Sequence, residues 1–214
     1  EIGLDGVLAG ARERHPGLLA VDRTIGGKNE NYQTPERSVP EEQLPHPWES
    51  CIPLSNDWGW TPAAPYKSAR TVIGLLAEVT AKGGCLLLGV GPTPEGVIEE
   101  AAAERLREVG RWLRANGEAI YGTRTTKRYR DGDTWFTASK DGRTLYAIRA
   151  LRDGESLPGT IEWKGNVPTG KMTLVDGGRR VKYTVEDGKV RVTLPEDVAD
   201  APVALRFTIK EAEK

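Results

Sequence analysis

The spacing of apolar residues changes near residue 124, so the two parts of the chain predict different architectures. Before that point, stretches with helical spacing alternate with short, continuous apolar runs, which are typical of strands covered on both faces. This alternation predicts an α/β unit with a parallel sheet over residues 1–124. The predicted helix at 101–115 should bury Leu106, Val109 and Leu113. The predicted elements are helices at 2–11, 68–83 and 101–115, and strands at 18–21, 51–54 and 85–90.

After residue 124, apolar residues recur at every second position, as in Val190, Val192 and Leu194. Alternation of this kind is typical of antiparallel strands, and Asp-Gly pairs such as Asp187-Gly188 are common in the tight turns that join them. Residues 125–214 are therefore predicted to form a second domain, an antiparallel β-sandwich.

Composition excludes several classes of function. Lys and Arg number 30 against 31 Asp and Glu, which gives a net charge of −1 and no electrostatic basis for binding nucleic acid. The longest apolar run, at 85–90, is too short to span a membrane, so no membrane partner is expected. Cys51 and Cys85 form no CxxC pair and are interpreted as buried thiols, and no metal or other cofactor is predicted.

Glycines at 83–84 and 89–91 look like a phosphate-binding loop, but neither GxxxxGK[ST] nor a GxGxxG opening a helix is present. We interpret them as turns and as points where another part of the chain approaches the backbone closely.

The polar segment from Asp22 to Trp48 is long for a connection and is the first place to look for function. Glu36 is either an acid/base carboxylate at the active face of an α/β barrel or a solvated loop residue. Arg23 either binds substrate oxygens or forms a structural ion pair. Likewise, the cluster that contains Trp58 is either a platform for the apolar face of a sugar or part of the packing. That cluster comprises Trp48, Trp58 and Trp60.

Several segments together resemble the α-L-fucosidases of glycoside hydrolase family 29. They cover about residues 16–124 in order and spacing. The segments are Gly17-Leu-Leu-Ala-Val-Asp-Arg23, Glu30-Asn-Tyr-Gln-Thr-Pro-Glu36, Trp48-Glu-Ser-Cys51, Trp58-Gly-Trp60, Lys82-Gly-Gly-Cys-Leu-Leu-Leu-Gly-Val-Gly-Pro92 and Asn116-Gly-Glu-Ala-Ile-Tyr-Gly-Thr-Arg124.

This resemblance implies the carboxyl-terminal part of a (β/α)8 barrel followed by a β-sandwich, and a retaining hydrolase that releases terminal α-L-fucose from fucosylated oligosaccharides or glycoconjugates. Glu36 matches the family's general acid/base residue, Arg23 matches an arginine of the sugar pocket, and Trp58 falls where an aromatic ring meets the C6 methyl of fucose. The resemblance also implies a secreted or periplasmic protein.

The family's nucleophile is an aspartate upstream of the matched region, in a Leu-Trp-Phe-Asp-Gly type of motif. Asp5 lies on the first helical pattern and is not assigned that role. The only methionine is Met172, which indicates a processed or partial polypeptide. We therefore expect little hydrolysis by the chain alone and expect the upstream barrel half as a partner. The alternative function is a non-catalytic carbohydrate-binding or interaction module.

Overall fold

The computed structural model describes residues 3–21 and 28–210. Within these residues the chain forms three α-helices, two short 3-10 turns and ten strands. The helices are α1 (Leu4–Arg14), α2 (Ala69–Ala81) and α3 (Glu100–Asn116), and the 3-10 turns are Gly117–Ala119 and Asp176–Gly178. The strands are β1 (Glu49–Pro53), β2 (Cys85–Gly89), β3 (Arg130–Asp131), β4 (Thr134–Ala138), β5 (Thr144–Arg149), β6 (Thr160–Lys164), β7 (Pro168–Leu174), β8 (Arg180–Glu186), β9 (Lys189–Thr193) and β10 (Val203–Ile209).

Strands β1 and β2 are parallel, and helix α2 connects them, which confirms the predicted strand–helix–strand order. Ser68 caps α2 as predicted, because its hydroxyl accepts a hydrogen bond from the Thr71 backbone N–H at 3.1 Å. After the last turn, Gly83 adopts a left-handed φ of 85°, which glycine tolerates without strain and which redirects the chain into β2.

The predicted buried strand at 18–21 is wrong. These residues have no strand conformation, and Leu18, Leu19 and Val21 are exposed. No neighbouring strand in the described part of the chain supplies a hydrogen-bonded ladder for them. Instead, the Ala20 N–H donates to the Asn31 side-chain oxygen, and the Ala20 carbonyl accepts from the Asn31 N–H, both at 2.8 Å.

Strand β2 was expected to be covered on both faces, but only one face is covered. Leu88 packs towards the helices, whereas Cys85 and Leu87 on the other face are exposed. Helix α3 shows a related correction: Val109 is buried and Leu113 packs against the core as predicted, but Leu106 is exposed. Ala102 and Trp112 are also buried. The continuous apolar run at 85–90 therefore predicted strand β2 correctly, but not how many of its faces are covered.

The last eight strands are antiparallel, in the order β3-β4-β5-β10-β7-β8-β9-β6. Strand β8 pairs with β7 through its first residues and with β9 through the rest, so the array folds over into two layers. Trp163 of β6 lies between these layers, edge-on to Phe136 and stacked on Phe207, with ring centroids 5.7 Å apart in each pair. This core confirms the predicted antiparallel β-domain.

The outer face of β4 and β5 is also buried, because helices α2 and α3 pack on it. Trp135, Tyr146 and Ile148 from the strands join Ile73 and Trp112 from the helices in a second hydrophobic cluster. The fold is therefore an α/β segment packed against a larger antiparallel sheet. The parallel strands do not close into a barrel within the described residues. None of the helices described there is long and apolar enough to cross a lipid bilayer.

Candidate active site

Glu36 lies beside the middle of β1, at the end of a segment that pairs with that strand. Residues 33–37 run parallel to β1, with bridges from Gln33 to Trp48 and from Glu36 to Cys51. Pro35 has no N–H to donate, but its carbonyl accepts from the Cys51 N–H at 3.1 Å. The Cys51 carbonyl in turn accepts from the Arg37 N–H at 2.8 Å. Cys51 thus holds the backbone on both sides of Glu36, and the Glu36 side chain is exposed.

Trp58 belongs to the loop that follows β1 and lies close to the same segment. The Arg37 guanidinium is 5.2 Å from the centroid of the Trp58 ring, and its Nη1 donates to the Asn56 carbonyl at 2.9 Å. The ring also packs on Gly89, the last residue of β2, where an added Cβ would lie 3.3 Å from two ring carbons. The structure therefore brings the Glu36 segment, the β1 loop and the end of β2 together.

Lys67 binds the start of the loop that follows β1. Its Nζ donates to the carbonyls of Pro53 and Ser55, each at 2.8 Å. Burial lowers the pKa of the Lys67 ammonium, and the positive charge of Arg37 lowers it further. Arg37, within the segment that carries Glu36, and Lys67 thus bring two positive charges close together at the loop after β1. Sequence reasoning missed both: Arg37 was signalled only by its position after Glu36, and Lys67 by nothing in the local pattern.

The glycine motif and the tryptophan cluster belong to one packing arrangement. A Cβ on Gly84 would overlap the Trp48 ring, and one on Gly91 would overlap the backbone of Trp60. This confirms that the glycines permit close approach. Trp48 is 3% exposed and precedes the first residue of β1, so it is a packing residue at the opposite end of that strand from Trp58.

The remaining predicted residues lie elsewhere or are not described. Arg23 lies outside the described residues, so its predicted role stays a prediction. Asp5 sits in the first turn of α1, 2.6 Å from the Lys28 ammonium. The hydrogen bonds from Lys28 and then Asn29 lower the pKa of this exposed carboxyl. Asp5 is therefore engaged in an ion pair on a helix, as its helical spacing indicated.

The cysteines are not the buried thiols that the sequence suggested, since Cys51 is half-buried and Cys85 is exposed. Cys85 is exposed because it lies on the uncovered face of β2. Across residues 3–21 and 28–210, no group of three or more His, Cys, Asp and Glu side chains is placed to hold a metal ion.

A groove of about 1040 Å³ lies between α2, α3 and the loop before β10, with Trp112 in its wall. Two of the arginines that line it form ion pairs, Arg70 with Asp200 at 2.9 Å and Arg179 with Asp197 at 2.7 Å. Trp112 Nε1 donates to the Pro202 carbonyl at 2.7 Å. The groove is a seam between the helices and the β-domain, and Glu36 is not part of its wall.

The whole arrangement matches a known class of glycoside hydrolase structure. The chain superposes on α-L-fucosidase isoenzyme 1 from Paenibacillus thiaminolyticus with a TM-score of 0.82 and 27% identity, covering 96% of this chain and 53% of that one. A Thermotoga maritima α-fucosidase solved in complex with fucose gives a TM-score of 0.79 and 25% identity, with coverage of 96% and 48%.

The sequence comparisons identify the family. The family model described as alpha-L-fucosidase matches residues 5–118, so the chain belongs to the α-L-fucosidase family. Plasma alpha-L-fucosidase of Rattus norvegicus is 37% identical over 124 residues, which are 55% of this chain and 27% of that protein. An alpha-L-fucosidase of Branchiostoma floridae is 31% identical over 172 residues, covering 77% of this chain and 38% of that protein. The chain thus spans well under half the length of these two relatives.

Proposed function

We propose that the chain is the carboxyl-terminal part of a retaining α-L-fucosidase in which Glu36 is the general acid/base. The observation that carries this proposal is the position of Glu36. It lies inside the family match, at the carboxyl end of a segment that pairs in parallel with β1, and next to the loop that carries Trp58. Catalytic residues of α/β barrels occupy this end of the strands. Membership of a family of hydrolases favours an enzyme over a non-catalytic binding module.

The place of these segments in a complete barrel is part of the same proposal. The Glu36 segment, β1 and β2 would be the last strands of a (β/α)8 barrel, with residues 1–124 in the barrel domain and residues 125–214 in the β-sandwich domain. Parallel pairing of these segments and a helix between β1 and β2 support it.

Glu36 would act twice in a double displacement. In the first step, a carboxylate nucleophile attacks the anomeric carbon of fucose while the protonated Glu36 gives its proton to the glycosidic oxygen, so the aglycone leaves as an alcohol. In the second step, the Glu36 carboxylate takes a proton from water, the resulting hydroxide attacks the anomeric carbon, and the nucleophile carboxylate departs. Fucose is released with its anomeric configuration retained.

Two further residues would bind the sugar. Arg23 would donate hydrogen bonds from its planar guanidinium to fucose oxygens. Trp58 would place its ring against the C6 methyl group, an apolar contact suited to an aromatic face. The half-buried state of Trp58 and its packing on Gly89 support a fixed ring orientation in this role.

The nucleophile would come from the upstream barrel half, which is therefore a required partner along with the fucosylated glycan. The exposed apolar side chains of β2 support this, because Leu87 remains 48% exposed on a strand that is otherwise apolar. A strand of the upstream half would pair with an open edge of the parallel sheet and cover this face.

The test is a complementation assay. The chain is co-expressed with a polypeptide that supplies the upstream barrel half, and hydrolysis of 4-nitrophenyl α-L-fucoside is followed together with the anomeric configuration of the first product by NMR. We expect activity with retention from the pair and none from the chain alone. Turnover by the chain alone would contradict the proposal, as would inversion of configuration.

The role of Glu36 is tested in the same pair. Glu36→Gln should lower kcat/KM for an unactivated fucosyl disaccharide by about 10²- to 10⁴-fold, the usual contribution of general acid catalysis. External azide should restore turnover of an aryl fucoside, because a small anion replaces the water that Glu36 would have activated. Glu41 is an exposed glutamate of the same polar segment, Asp22 to Trp48. Glu41→Gln is therefore the matched control and should leave the rate unchanged. An equal loss in both variants would refute the assignment.

We also propose that the protein is secreted or periplasmic, as the family resemblance implies. Cell fractionation with an antibody against the β-domain tests it. Recovery only with cytoplasmic markers would contradict export.

A further inference from the structure

We infer that Arg37 is the positioning residue of Glu36: its side chain fixes the acid/base segment to the loop after β1, and so sets where the proton is delivered. The inference rests on the proposed function, because it assigns a role towards the Glu36 carboxyl. Arg37 itself touches neither fucose nor the reacting atoms in this proposal.

The backbone of Arg37 is unusual for its residue type. Its φ is 56°, in the left-handed region that glycine favours and that asparagine and aspartate also tolerate. Of the other non-glycine residues with positive φ in the described ranges, Asn166 and Asp187 are of the tolerant types, and Ala63, in the loop after β1, is not. An arginine in this conformation, immediately after a candidate catalytic carboxylate, needs surrounding contacts that hold it there.

Three contacts hold it. The Arg37 N–H donates to the Cys51 carbonyl at 2.8 Å, Nη1 donates to the Asn56 carbonyl at 2.9 Å, and the guanidinium lies 5.2 Å from the centroid of the Trp58 ring. The first contact fixes the residue to β1, and the other two fix it to the loop that follows β1. A planar guanidinium suits the last two together, because it can stack on an aromatic face while its edge donates a hydrogen bond.

These contacts determine the path of the chain around Glu36. Pro35 before it and Arg37 after it are both hydrogen-bonded to Cys51, and the left-handed conformation at residue 37 ends the backbone pairing with β1. Loss of the Arg37 side chain would remove both contacts to the loop and leave the turn without its tether. A carboxyl displaced by about 1 Å can cost on the order of 100-fold in rate, because proton transfer depends on alignment.

The experiment separates positioning from a general structural role by varying the leaving group. A fucoside of an acidic phenol, such as 2-chloro-4-nitrophenol, departs with little help from an acid, whereas a fucosyl-galactose disaccharide requires protonation. Arg37→Ala, Arg37→Gly and Arg37→Lys are each assayed on both substrates in the complemented enzyme. Arg37→Gly keeps the left-handed turn available, so it isolates the side chain. Arg111 is an exposed arginine on α3, and Arg111→Ala is the control.

We expect Arg37→Ala and Arg37→Gly to lower kcat/KM for the disaccharide at least about tenfold more than for the aryl fucoside, as partial loss of acid catalysis requires. Arg37→Lys should fall between them and the parent, because lysine keeps the charge but not the planar stacking on Trp58. Arg111→Ala should change neither value. An equal loss on both substrates, or no loss, would overturn the inference.

Glu36→Gln in the same assay keeps the two proposals apart. If Glu36→Gln shows the leaving-group dependence and the Arg37 variants do not, the positioning role of Arg37 fails while the acid/base assignment stands. If Glu36→Gln shows no such dependence, the proposed function itself fails.

Discussion

The two sheets of this protein are built from similar apolar residues but are covered differently. All five residues of β4 are buried, because the β-domain core covers one face and helices α2 and α3 cover the other. In β2, by contrast, Cys85 and Leu87 are exposed and only the opposite face contacts a helix. The antiparallel strand β4 is thus covered on both faces by other parts of this chain, whereas the parallel strand β2 is covered on one face.

This difference indicates where the stability of the chain resides. The β-domain supplies its own core and also the surface on which α2 and α3 pack, through Tyr146 and Ile148. The parallel pair depends on that surface for one face and presents the other to solvent. Glu36 lies in the segment beside β1 and Trp58 in the loop after β1, so the candidate site lies at the less covered sheet.

The largest expected effect comes from removing the centre of the β-domain core. Trp163 is 2% exposed and contacts both Phe136 and Phe207, so Trp163→Ala should lower the free energy of unfolding by about 3–5 kcal/mol. Leu87→Ala, on the uncovered face of β2, should cost about 1 kcal/mol or less, since half of that side chain is already in water. Urea unfolding of both variants measures the contrast.

The same pair of variants sharpens the comparison when the upstream half is supplied. The loss of unfolding free energy caused by Leu87→Ala should then increase, because the side chain becomes buried. The loss caused by Trp163→Ala should stay constant. If the two variants lost similar amounts of unfolding free energy in the chain alone, the two sheets would be covered alike.

A smaller effect is expected where the parallel pair is itself tightly packed. A Cβ on Gly84 would overlap the Trp48 ring, so Gly84→Ala should destabilise the protein by about 1–3 kcal/mol through overpacking. Gly159→Ala is the matched control, since no atom beyond the neighbouring residues lies within 4 Å of its added Cβ and its φ is not left-handed. Thermal unfolding compares the two. Equal midpoints would mean that Trp48 can move aside without cost.

The contact between the two regions should lose stability at alkaline pH. Burial, and then the hydrogen bond that Tyr146 donates to Glu118 at 2.8 Å, raise the pKa of Tyr146 to about 12 from the ordinary value of 10.0. The neutral phenol is therefore favoured in the folded state. Its contribution is fully present below pH 10 and is lost as the pH rises towards 12, by on the order of 2 kcal/mol.

Urea unfolding between pH 9 and about pH 12, for the parent and for Tyr146→Phe, measures this contribution. Tyr146→Phe should be less stable at neutral pH, because Glu118 loses its donor, but its stability should fall less steeply above pH 10. Parallel curves for the two proteins would show that the phenol does not titrate differently on unfolding.

Local signals in the sequence predicted most elements correctly. Ser68 and Gly83 mark the two ends of α2 because capping and left-handed termination depend on individual residue types. Asp-Gly pairs such as Asp187-Gly188 likewise mark turns with positive φ. Burial was predicted less well, since Leu18 to Val21 and Leu106 carry an apolar pattern but no described element covers them. A pattern specifies which residues favour burial, not whether a covering surface is present.

In the candidate site, too, some residues could be recognised from local signals and others only from contacts between distant segments. Glu36 and Trp58 were selected from their motifs, which residue types and order alone can carry. The roles of Arg37 and Lys67 depend on contacts with the loop after β1, at residues 53–58, and no spacing rule relates them. The paired glycines and tryptophans were visible as motifs, but that Gly84 meets Trp48 and Gly89 meets Trp58 follows only from the parallel pairing of β1 with β2.

The sequence by itself determined the family, most of the helices and strands and the acid/base candidate, because these depend on local residue types and their order. The tertiary structure decided which faces are covered, which tryptophan lies at the carboxyl end of β1 and which residues hold Glu36 in place. Those features arise from contacts between segments that are distant along the chain, and hydrophobic burial is non-directional, so no local pattern encodes the partner.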